Sequence, residues 1–125
     1  MYNAEGIMMN SVDEFKITIH GKGTHGAYPH QEIDPINIGV HIHLALQELV
    51  AREANPQDIC TITIGQFNAG SAVNIIPESA ILQGTLRTNN VSTRENLLNR
   101  MKEVCHKIAE TYRGTVEINS TATYV

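Results

Sequence analysis

Hydrophobic and polar positions alternate from Glu14 to His20, with Phe15, Ile17 and Ile19 set between Lys16, Thr18 and His20. That period of two predicts a strand with one buried face. Met8 and Met9 fit either an earlier edge strand or a linker. The period then lengthens. Asp34-Pro35 opens a predicted helix running to about Glu53, with Asp34 as N-cap and Pro35 at the first helical position, where its missing N–H costs nothing. At 100° per residue, Ile38, Ile42, Ala45, Leu46 and Leu49 gather on one arc, and Ile36, Val40, Leu44 and Ala51 on another. One apolar arc seats a helix on a sheet, so the second arc predicts a subunit or domain interface through Ile36, Val40 and Leu44.

Asn55-Pro56 breaks this helix, and alternation returns from Ile59 to Phe67 as a second strand. The connection Asn68 to Pro77 is too long for a tight hairpin and apolar at its end. Ser79 to Thr88 reads as a third strand, with Leu82 and Leu86 on one side and Gln83, Thr85 and Arg87 on the other. Ser92-Thr93-Arg94-Glu95 reads as a capping box opening a second helix. Its single apolar stripe runs from Leu97 to Tyr112 and ends at Gly114 as C-cap. Val116, Ile118, Ala122 and Tyr124 share one parity in a closing strand.

Strand, helix, strand, strand, helix, strand is the order of an α+β, ferredoxin-like βαββαβ sandwich, a four-stranded antiparallel sheet with both helices on one face. Lys16, Thr18, His20, Thr61, Thr63, Gln83, Thr85 and Arg87 then line the open face. The 125 residues suit one domain, expected over residues 12–125, with residues 1–11 as leader or linker. A net charge of -4 argues against a nucleic-acid partner, and no run of apolar residues approaches a membrane span. RNA binding on the open face, which some βαββαβ domains use, wants aromatics where Thr61, Thr63, Gln83 and Thr85 stand. Cys60 and Cys105 read as buried thiols of a reducing compartment, which points to the cytoplasm.

Chemistry concentrates in the loop Gly21-Lys22-Gly23-Thr24-His25-Gly26-Ala27-Tyr28-Pro29-His30, bent by glycine and proline. Two histidines five residues apart are too few donors for a metal site of their own, so no metal is assigned to this chain. By residue type alone, Asn74 suits a turn that tolerates left-handed backbone, and Arg87 a solvated cross-strand salt bridge.

Taken together, the glycine loop with Asp34-Pro35 behind it, Asn74-Ile75-Ile76-Pro77 and Gly84-Thr85-Leu86-Arg87 resemble the satellite, or dimerisation, domain of the M20 metallopeptidases and amidohydrolases. Within that family the likeness is to the branch of aminoacylases, hippurate hydrolases and hydrolases of auxin-conjugated amino acids. The resemblance implies an insert in a larger catalytic domain, absent here, that binds two divalent metal ions, zinc or manganese. It implies a homodimer, an N-acyl amino acid or small peptide as substrate, and an isolated chain without activity. It also implies that His25 reaches the partner subunit's active site to hold the oxyanion, that Asn74 approaches substrate, and that Arg87 grips its carboxylate. Gly23-Thr24 and Ala69-Gly70 stand where the family commonly has Gly-Gly. The alternative reading is a free-standing ligand-binding or regulatory module of the same topology, since this fold hosts many functions.

Overall fold

A computed structural model describes residues 8–23, 30 and 32–124. Its elements are β1 (Met8–His20), α1 (Pro35–Glu53), β2 (Cys60–Ala69), β3 (Ser79–Asn90), α2 (Val91–Thr111) and β4 (Thr115–Tyr124), and the strands form one antiparallel sheet in the order β2-β3-β1-β4. This is the ferredoxin-like arrangement that the alternation predicts, with both helices on one face. Met8 and Met9 belong to β1, a central strand and not an edge one.

The odd positions of β1 fall on the helix side, where Phe15, Ile17 and Ile19 pair across the ladder with Gly84, Leu82 and Ala80 of β3. Above them sit Ile38, Ile42, Leu46 and Leu49 of α1 and Leu97, Met101, Cys105 and Ala109 of α2, all buried. Each large side chain removed from water here contributes about 1.5–3 kcal/mol, the main favourable term holding the helices down. Asp13 is completely buried in this layer and receives two hydrogen bonds of 2.8 Å from Arg94, through Nε and Nη2. A bidentate pair satisfies the carboxylate away from water and ties the first turn of α2 to β1.

Local chemistry departs from the sequence reading at three places. The cap of α2 is Asn90, whose Oδ1 accepts from the N–H groups of Ser92 and Thr93 at 2.9 and 3.2 Å, and Ser92 is already inside the helix. β3 extends to Asn90 and leads straight into α2, so the last strand residue caps the helix and a separate capping box has no room. In β2 the register slips between Ile64 and Gln66, so a bulge at Gly65 moves Phe67 onto the parity that faces the helices. A Cβ on Gly39 of α1 would stand 2.6 Å from the Phe67 ring, which shows how closely helix and ring approach.

The third departure is at the end of α2. Arg113, not Gly114, holds the left-handed position, at φ 68°, after a C-cap at Tyr112. Gly114 donates to the Ala109 carbonyl at 2.8 Å and Arg113 to Glu110 at 3.0 Å, which together make a Schellman closure. Gly114 is required one position later for a different reason, because a Cβ there would stand 2.6 Å from Ile38 Cδ1 and 2.9 Å from the His20 carbonyl. A non-glycine residue in left-handed backbone carries about 1–2 kcal/mol of steric cost, partly offset by the lower entropy of its unfolded chain. Arg113→Gly is therefore expected to stabilise the fold by about 0.5–1 kcal/mol, raising Tm by a few degrees in a thermal melt. A lowered Tm would show that the arginine side chain contributes more than its backbone costs.

Candidate functional site

The predicted site residues distribute over both ends of the sheet. At one end, the stems of the glycine loop are fixed by backbone pairing: Lys22 N–H donates to the Ile33 carbonyl at 2.8 Å and Ile33 N–H to the Lys22 carbonyl at 3.0 Å. Gly21 N–H reaches the Glu78 carbonyl at 2.8 Å, which joins the loop to the start of β3. Gly23 is pressed against the Ile76-Pro77 backbone so closely that a Cβ would stand 2.2 Å from the Ile76 oxygen. Gly23 is thus a contact residue between two loops. His25 lies outside the described residues; His30 is described and exposed.

Asn74 sits in the β2–β3 connection, exposed, beside a groove of about 600 Å³ whose walls include Ile36, Val73 and Ile75. Gly70 turns the chain into this connection with φ 82°. The two loops that carry the motifs therefore meet, since Gly23 touches the segment that begins at Asn74.

Arg87 is elsewhere. It is exposed on the open face, level with Val12 of β1 and Thr61 of β2, while the connection that holds Asn74 ends at Ser79. Eight strand residues at about 3.3 Å each separate Arg87 from Ser79, about 25 Å. No ion pair to a described residue restrains its guanidinium, so the cross-strand salt bridge is not formed.

The second arc of α1 is bare, with Ile36, Val40 and Leu44 exposed to 38, 45 and 57%. Its neighbouring row, Gly39, His43 and Gln47, faces β2: the Phe67 ring lies against Gly39, and Gln47 Nε2 donates to the Ile62 carbonyl at 3.5 Å. The bare arc is the next row round the helix, on the side of the sheet's β2 edge. In the same row as Gly39, His43 buries its Nδ1 without a hydrogen-bond partner. On the opposite flank the His41 ring stacks on Tyr112 at 4.8 Å between centroids, so Tyr112 leaves the α2 stripe and bridges the helices.

Other polar groups serve the fold. A second groove, about 650 Å³, lies at the far end between the α1–β2 loop and the first turn of α2. Its groups engage one another: Thr93 donates to Asp58, Asn90 caps α2, and Arg100 clamps Glu53 with two bonds of 2.7 Å. Among the described residues no group of three or more His, Cys, Asp or Glu is placed to hold a metal ion. Burial pushes the Cys105 thiol up to about 12, and burial together with the Asp58 charge pushes Cys60 to about 11, so neither is a poised nucleophile. No described helix is long and apolar enough to cross a membrane.

Neither Val73 nor Ile75 is given a role by the sequence, although Ile75 lies inside the Asn74 motif. Val73 is fully exposed and Ile75 42% exposed, and the apolar end of the connection was the signal available for them.

Comparison with known proteins bears on this arrangement. The family profile of the peptidase dimerisation domain of M20 proteins matches residues 9–113. The chain is 37% identical over 107 residues to an N-acetyl-L-cysteine deacetylase of Bacillus subtilis, covering 86% of this chain and 26% of that protein. It is 36% identical over 118 residues to a hippurate hydrolase of Campylobacter jejuni, covering 94% and 31%. A solved dinuclear metal-binding peptidase of the M20 family from Bacillus subtilis superposes with TM-score 0.66 at 31% identity, over 94% of this chain and 27% of that one. The chain thus spans under a third of the length of these relatives.

Because Gly23 is held by contact with the Ile76 backbone, Gly23→Ala is expected to lower stability by about 1–3 kcal/mol and to loosen both loops, read by thermal melting and by hydrogen exchange at Lys22, Ile33 and Ile76. Gly65→Ala meets nothing within 4 Å and serves as the control, with a change under about 0.5 kcal/mol. Equal effects of the two substitutions would contradict the loop contact.

Proposed function

The chain belongs to the M20 peptidase dimerisation domain family, and from that premise we propose that it is the lid of a homodimeric amidohydrolase that cleaves N-acyl amino acids, each active site being built from both subunits. The observation that carries this reading is the placement of strand ends. Ser11 of β1 pairs with Tyr124 of β4, so both outer strand ends lie at one end of the sheet, while His20 pairs with Thr115 at the other, where the Gly23 and Asn74 loops meet. Nine strand residues at about 3.3 Å put about 30 Å between those ends. A catalytic domain attached through the strand ends stands far from the loops of its own lid, and the loops are free to serve the other subunit.

In this reading His25 and Asn74 act in trans. His25 donates to the oxyanion that develops as the amide carbonyl is attacked, and Asn74 hydrogen-bonds the substrate amide. Arg87, on the open face near the strand ends, acts in cis and receives the substrate carboxylate in a two-bond grip. The relatives named for cleaving N-acetylcysteine and hippurate support this substrate class. The two divalent ions, zinc or manganese, are assigned to the catalytic domain, in keeping with the relative solved as a dinuclear metal-binding M20 peptidase. The dimer forms through the bare arc Ile36, Val40 and Leu44 and the adjoining edge of β2, which has no strand beside it among the described residues. The free thiols Cys60 and Cys105 suit the cytoplasm.

Mixed dimers of the full-length parent test the assignment. One subunit carries Asn74→Ala or Arg87→Ala with an intact catalytic domain, and the other an intact lid with its metal ligands substituted. Mixing with the Asn74→Ala subunit is expected to restore about a quarter of wild-type activity, since half the dimers are mixed and each has one complete site. Mixing with the Arg87→Ala subunit is expected to restore none. Restoration for Arg87→Ala and not for Asn74→Ala would reverse the assignment.

A further inference from the structure

Val73 stands with its side chain wholly in solvent, the most exposed of the described large apolar residues, immediately before Asn74. Ile75, on the other side of Asn74, is 42% exposed, and both line the same groove of about 600 Å³ as Ile36 and Asn74. Two bare aliphatic side chains on either side of a carboxamide leave apolar surface in water, and the set matches one kind of molecule well. An amide whose carbonyl carries an apolar substituent places its polar atoms on the carboxamide and its substituent on the aliphatic flanks.

We infer that Val73 is a specificity-determining residue that contacts the acyl group of an N-acyl amino acid held in the partner subunit's cleft, with Ile75 supporting it. The inference rests on the proposal that Asn74 acts in trans on such a substrate. It adds that acyl selectivity is shared between the subunits, the lid of one contributing an apolar wall to the pocket of the other. The occupant is the acyl chain, because the exposed apolar side chains flank the residue assigned to substrate, and the groove adjoins Ile36, where the face assigned to the subunit contact begins.

The test uses the full-length parent enzyme and two substrates that share their amino acid, one N-acetylated and one N-benzoylated. Val73→Ala removes apolar contact from a large acyl group and almost none from acetyl. It is expected to lower kcat/KM for the benzoyl substrate about tenfold, mainly through KM, and for the acetyl substrate less than about twofold. Val73→Asp is expected to widen that difference. Asn74→Ala, measured alongside, is expected to lower kcat on both substrates. If Asn74→Ala lowers kcat and Val73→Ala changes both substrates equally or neither, acyl contact by Val73 is overturned and the role of Asn74 stands. If Asn74→Ala leaves kcat on both substrates unchanged, the underlying proposal fails and the inference falls with it. A Val73→Ala parent that sediments as a monomer would show that the residue belongs to the subunit interface, which also overturns the inference.

Discussion

Antiparallel pairing of β1 with β4, from Ser11 against Tyr124 to His20 against Thr115, gathers the outer strand ends at one end of the sheet and leaves the other end to loops. The rest of the structure depends on that division. β3 on the other side of β1 continues the ladder and delivers the Asn74 connection to the loop end, where Gly21 and Gly23 accept the close approach of Glu78 and Ile76. The same ladder sets Arg87 toward the opposite end, so two motif residues thirteen apart in sequence stand at different ends of the sheet. Rigid strands turn a sequence spacing into a distance, and the proposed division of the two groups between subunits rests on that distance.

Much of this was legible in the sequence because its signals are local. The alternation of Phe15, Ile17 and Ile19, the Asp34-Pro35 start of α1 and the two apolar arcs of that helix each reflect one element's own geometry, and each is found where the pattern puts it. The strand and helix order then leaves few topologies. The details that escaped depend on neighbours. Ser92 and Glu95 make a sound capping signature, yet Asn90 caps because β3 runs to the helix without a loop, a matter of where the ladder stops. Gly114 reads as a C-cap by composition, whereas its position is dictated by Ile38 and the His20 carbonyl, residues far away in sequence.

The site was legible as a set of residue types and not as a constellation. Asn74 and Arg87 are marked as candidates by the motifs around them, but nothing in a linear pattern says that they lie toward opposite ends of the sheet. The exposure of Val73 escaped for the same reason: an apolar residue in a connection reads as packed until the structure shows it bare. The bare arc of α1 is the counterexample, since a helix with apolar residues on two sides announces an uncovered face from periodicity alone.

That arc is the face through which two copies are proposed to join. Sedimentation equilibrium of this chain over a wide concentration range, beside a variant carrying Ile36→Glu and Val40→Glu, measures whether the arc joins two copies. A dimer is expected for the native chain and a folded monomer for the variant, since both positions are exposed in the single chain and two charges desolvated at their centre make the interface unfavourable. A native chain that remains a monomer at every concentration, or a variant that still dimerises, would contradict pairing through this face.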